Sequence, residues 1–117
     1  MIDEKAHDLG RLIGQTEEYK SLKRASERLK EDAECQRLLG DMERLANEIE
    51  AVARTGKEPT VEQTDQYDAA VQSIQVSSVY QQMAAAQANF EKLMAKVNAR
   101  IYEGIQKGSA SPIITLT

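Results

Sequence analysis

The chain has 117 residues, of which 41% are hydrophobic and 29% charged, with no Trp and only 4% aromatics. That is one domain or one protomer of a small oligomer, with a thin core of Leu, Ile, Val, Met and Ala that a second copy would help to bury. The formal charge of −4, with no Lys/Arg run clear of acids, argues against direct nucleic-acid binding, and no apolar run is long enough to cross a bilayer.

The first helix is marked by Ile2, Ala6, Leu9 and Ile13, with Leu12 beside them, and Asp3 is its expected N-cap. The opening Met1-Ile2-Asp3-Glu4-Lys5 lacks the apolar segment of a signal peptide. Gly10 and Gly14 each weaken this helix by about 1 kcal/mol, so a break is expected at Gly14–Thr16. Thr16 then caps a second helix, with Glu17 and Glu18 in its first turn and Tyr19, Leu22, Ala25 or Ser26, and Leu29 on one face. Asp32 either caps a third helix or marks a change of direction. The third helix has a regular four-three seam, Leu38, Met42, Leu45, Ile49 and Val52, widened by Leu39, Ala46 and Ala53, and a favourable pair Glu50–Arg54 on its wet side.

Gly56 stops that helix as a left-handed cap, Pro59 follows, and Thr60-Val61-Glu62-Gln63 reads as a capping box. A short connection between two helices predicts an antiparallel hairpin. The fourth helix, from about Val61 to Gln75, is polar with an apolar face of Val61, Tyr67, Val71 and Ile74. The β-branched, serine-rich run Ile74–Tyr80 reads as a kink, with Ser77 or Ser78 capping a long fifth helix over 78–107. Val79, Met83, Ala86, Phe90, Leu93 and Val97 alternate four- and three-residue steps, and Ile101 and Ile105 prolong the stripe. At about 1.5 Å per residue that helix spans roughly 40–45 Å and needs partner helices along its whole length.

These patterns predict an all-α bundle of about five helices with one long C-terminal helix, dimeric through it. Residues 1–107 form one helical domain, and 108–117 a tail in which Gly108 and Pro112 break the helix. Ile113-Ile114-Thr115-Leu116 has strand composition without a partner strand, so it is frayed or lies against another subunit. The main packing and dimer surfaces are expected on the third helix, at Leu38, Met42, Leu45, Ile49 and Val52. The matching surface on the fifth helix is Val79, Met83, Phe90, Leu93, Val97 and Ile101.

Residues with chemical potential are sparse. His7, the only histidine, has Asp3 one turn before it, but two ligands do not make a metal site. Cys35, the only cysteine, excludes an intrachain disulfide and an iron–sulfur cluster within one subunit; it reads as a small packing residue. Glu17–Glu18 and Asp65–Asp68 are ordinary surface pairs with no sign of the cleft that paired carboxylate catalysis needs. The glycines fit no phosphate-binding spacing, and Met42, Met83 and Met94 read as core filler. No catalytic set, metal or cofactor is expected, and the chain reads as a cytoplasmic protein that works by helix-mediated contacts.

The segment TEEYKSLKRASERLKEDAECQRLLGDMERL, from Thr16, resembles the YlbF/YmcA family of small helical bacterial proteins, and most of all its YheA-like branch. The family opening S/T-E-E-Y-K-x-L-K is matched at Thr16–Lys23, the acidic break at Asp32 and the G-x-x-x-T/S connection at Gly56–Thr60. The small-residue kink near Ser78 and the V-N/I-N pattern at Val97–Ile101 complete a resemblance over about residues 1–105. It implies an all-helical, self-associating regulator with protein partners in a complex that modulates RNase Y-dependent mRNA processing, and through it competence, sporulation and biofilm formation. Some members carry C-terminal cysteines associated with iron–sulfur binding; this chain has none there. The expected function is a non-enzymatic regulator or adaptor. The alternatives are a structural or chaperone-like helical module and, third, a metal- or redox-dependent enzyme.

Overall fold

The structure, a computed structural model, describes residues 1–110. Their backbone forms α1 (Ile2–Gly14), α2 (Glu17–Glu31), α3 (Ala33–Arg54), α4 (Val61–Gln75) and α5 (Ser78–Ala110), with no strand among the described residues.

Each boundary has a local cause. The Thr16 side-chain oxygen accepts from the Tyr19 N–H at 3.2 Å while its hydroxyl donates to the Ile13 carbonyl at 2.6 Å. One residue thus closes α1 and opens α2. Asp32 is both C-cap of α2 and N-cap of α3, and its Oδ1 accepts from the Cys35 N–H at 2.8 Å. The acidic break is therefore a true helix boundary one residue wide. Beyond α3, Gly56 adopts φ 81°, a region open to glycine without steric cost. The Thr60–Gln63 capping box closes in both directions: Gln63 N–H donates to Thr60 Oγ1 at 3.1 Å and Thr60 N–H to Gln63 Oε1 at 3.0 Å. Ser77, rather than Ser78, caps α5, its Oγ accepting from the Tyr80 N–H at 3.3 Å.

Two boundaries differ from expectation. The N-cap of α1 is Met1, so Asp3 lies in the first turn, where a carboxylate stabilises the helix through the dipole instead of by a capping bond. Helix α5 runs through Gly108 to Ala110. A glycine costs a helix about 1 kcal/mol but does not forbid it. The strand-like Ile113–Leu116 lies outside the described residues.

Helix α2 packs chiefly on α5 and α3 on α4. Tyr19 stacks on Phe90 and Arg28 donates to Gln82 at 3.1 Å, so numbers fall along α2 as they rise along α5; the pair is antiparallel. The connection over 55–60 makes α3 and α4 antiparallel as well. The chain is thus one long helical hairpin, each arm interrupted midway, at Asp32 and at Val76–Ser77. The two interruptions meet: Ser77 Oγ lies 3.9 Å from Cys35 Sγ, and Cys35 and Ile74 are 1% and 2% exposed. Helices α3 and α5, expected to be the main packing elements, do hold the two seams, but each buries its seam against a different helix. A hairpin two helices thick is long: the extents are 71 × 37 × 19 Å, and the radius of gyration is 21.9 Å. A compact chain of this length would have a radius of gyration of about 13 Å.

Candidate interaction surface

A frame two helices thick can enclose only the residues directly between its arms. Among the described residues, those buried are Ala25, Cys35, Leu45, Ile74 and Ala86. Of the expected seam on α3, Leu45 is buried; Leu38, Met42, Ile49 and Val52 are half-buried. Of the seam on α5, Val79, Met83, Phe90, Leu93 and Val97 are half-buried, and Ile101 is 46% exposed. Ile101 thus lies outside the buried part of the seam: from Asn98 to Ala110 every described residue of α5 is exposed. Val61 likewise departs from the expected apolar face of α4. It stands in the first turn beside the hairpin connection and is 77% exposed, while Tyr67, Val71 and Ile74 are covered to varying degrees.

The two halves expose their half-covered apolar atoms differently. Between α2 and α5, Ala25 and Ala86 are both buried, small side chains that let the two backbones approach closely. Along one side of this pair, from Tyr19 to Lys30 of α2, runs an open groove of about 630 Å³. Tyr19, Leu22, Met83 and Phe90 form its apolar floor, and Lys23, Glu27, Lys30 and Glu91 its rim. The Tyr19 and Phe90 rings lie 5.7 Å apart at 60°, a tilted arrangement favourable to aromatic pairs. An apolar floor with a mixed-sign rim is the general anatomy of a helix-binding surface.

The outer face of α3 is different. Glu34, Arg37, Asp41, Arg44 and Glu48 alternate in sign at helical spacing. Arg37 bonds Glu34 at 2.6 Å and Asp41 at 3.4 Å, and Arg44 bonds Glu48 at 3.1 Å. The hydrogen bond and charge of Glu34 push the Arg37 guanidinium above its ordinary value. Pairs this exposed contribute little each, so the ladder marks the solvent side of α3 rather than a site.

His7 is exposed in α1, and Cys35 lies in the α2–α3/α4–α5 junction. Among the described residues no group of three or more His, Cys, Asp or Glu could hold a metal ion, and no helix is long and apolar enough to cross a membrane. The sequence reading missed the pairing of Tyr19 with Phe90 and the meeting of Cys35 with Ser77. An antiparallel fold about 55–60 signals that α2 returns against α5 and that the two interruptions lie near each other, but not the individual partners, since the interruptions shift the register by several residues.

The comparisons with known proteins follow the same outline. In fold the chain is similar to a chain of the X-ray crystal structure of Bacillus subtilis RicA in complex with RicF. The TM-score is 0.83 at 19% identity, covering 92% of this chain and 96% of that one. No curated protein matches the sequence significantly. Residues 2–106 match the family described as "Control of competence regulator ComK, YlbF/YmcA", a span that includes α1 to α4 whole and nearly all of α5. The all-helical hairpin and the family match agree, and the chain belongs to the YlbF/YmcA family, described as controlling the competence regulator ComK.

Proposed function

We propose that the protein is a non-enzymatic cytoplasmic regulatory adaptor that docks other helices onto its half-covered apolar seams. The observation that carries this reading is the long, two-helix-thick frame, whose seam residues Met83, Phe90, Leu93 and Val97 remain only half-buried. Their remaining apolar surface is free for a further helix to cover, and burial of each large side chain is worth on the order of 1.5–3 kcal/mol before ordering costs. The reading draws further support from the family, described by its control of a competence regulator, and from a neighbour in fold whose crystal structure is of a two-protein complex. The resemblance to the family extends it to RNase Y-dependent RNA processing, with competence, sporulation and biofilm formation as the processes affected. Self-association through α5 is part of the same proposal.

Affinity capture from the source cells, with the wild-type chain and with Leu22→Glu in the groove, tests it. The wild type should recover a defined protein partner that includes an RNA-processing component, and the variant should lose it while keeping its helix content. Capture of partners without any RNA-processing component removes the RNA-decay version. Unchanged recovery by a folded Leu22→Glu variant removes the groove.

A further inference from the structure

The two interruptions of the hairpin are built alike. At each, one residue caps the following helix: Asp32 Oδ1 accepts from the Cys35 N–H at 2.8 Å, and Ser77 Oγ accepts from the Tyr80 N–H at 3.3 Å. At each, the glutamine four residues after the cap reaches back over the break. Gln36 Nε2 donates to the Leu29 carbonyl at 2.8 Å, and Gln81 Nε2 donates to the Gln75 carbonyl at 2.8 Å. Leu29 and Gln75 stand in the last turns of α2 and α4, where carbonyls have no donor left within their own helix. Each glutamine thus ties the end of one helix to the start of the next.

The same two bonds join the two halves of the frame, since Gln36 reaches from α3 to α2 and Gln81 from α5 to α4. Among the described residues, the other side-chain bond between the α3–α4 and α2–α5 halves is Ser77 Oγ with Cys35 Sγ at 3.9 Å, and no ion pair crosses. The layers of this joint differ in depth. Cys35 and Ile74 are 1% and 2% exposed, whereas both glutamine bonds lie exposed. An exposed hydrogen bond exchanges for one to water at little net cost, while the apolar contact beneath it has no such substitute. The backbone between the halves is Asp32 on one arm and Val76–Ser77 on the other. A few element-terminal residues between packed helix pairs are the anatomy of a hinge.

We propose that this joint is a latched hinge. Cys35 and Ile74 form its buried pivot, Gln36 and Gln81 are its two latches, and releasing them lets the α3–α4 half swing against the α2–α5 half. A docked chain that offers its own polar groups to either glutamine, or to the carbonyl it holds, opens the latch. The groove on α2–α5 ends beside the joint: Lys30 stands two residues before Asp32, and Met83 two after Gln81. The inference concerns the frame and not its partners, so it and the adaptor reading fail separately.

Electron–electron double resonance between nitroxides on the full-length chain tests it. Lys23→Cys with Glu43→Cys spans the first break, and Asp68→Cys with Ala88→Cys spans the second. Lys23→Cys with Tyr102→Cys, both within the α2–α5 half, is the control. All five sites are exposed, and Cys35 is shielded from the label by its burial. Labelled chains are diluted with unlabelled ones, so that only distances within one chain are read. With the native glutamines all three distance distributions should be narrow. Gln36→Ala with Gln81→Ala should broaden both break-spanning distributions several-fold and leave the control and the helix content unchanged. Gln36→Glu with Gln81→Glu, equal in length but without the donor at neutral pH, should do the same. Four results overturn the proposal: break-spanning distributions already broad in the native chain, no broadening in the alanine pair, broadening by alanine but not by glutamate, or equal broadening of the control.

Discussion

The half of the molecule built from α3 and α4 and the half built from α2 and α5 share one hairpin but are stabilised differently. The α3–α4 half contains the strongest local devices: the left-handed Gly56, the Thr60–Gln63 capping box, the charge ladder on α3, and the buried Leu45. The α2–α5 half buries Ala25 and Ala86 and carries along one side an open groove floored by Tyr19, Leu22, Met83 and Phe90. The caps and ion pairs fix the ends and the wet face of single helices; what joins the helices in both halves is apolar contact, with seam residues left half-buried on α3 and on α5 alike.

The largest break in the comparison comes where the halves meet. Ile74→Ala should lower stability by about 2–5 kcal/mol in thermal or urea unfolding, because Ile74 is 2% exposed and the joint has no spare side chain to refill the space. Next comes Phe90→Asp, which should dissociate or unfold the protein by placing a charge on the groove floor. A variant with native mass in light scattering and native melting would show that this seam is not used. In the other half, Thr60→Ala should cost about 1 kcal/mol by removing the cap of α4, measured by the same melts and without change in oligomeric mass. Gly56→Ala should cost a similar amount, on the order of 1 kcal/mol, since φ 81° is unfavourable to any side chain; the space around it is open, so the cost is backbone strain alone. Smallest is Arg44→Ala in the charge ladder, expected within about 0.5 kcal/mol and shrinking further with added salt.

The sequence by itself determined every helix of the described chain. Periodicity named the stripes, and Thr16, Gly56 and Thr60 named boundaries, with Asp32 read as a cap or a change of direction and the α5 cap as Ser77 or Ser78, because caps and left-handed glycines act on backbone groups within four residues. Where it missed, at Met1 and at Ala110, terminal helix turns are decided by small differences that a single glycine or carboxylate does not settle. Only the tertiary structure decided which stripe meets which: that α5 lies chiefly on α2, that Cys35 meets Ser77, and that Ile101 is left 46% exposed. The reason is that a four-three apolar stripe fixes the face a helix buries but carries no information on its partner. That choice came from the long-range register of the hairpin.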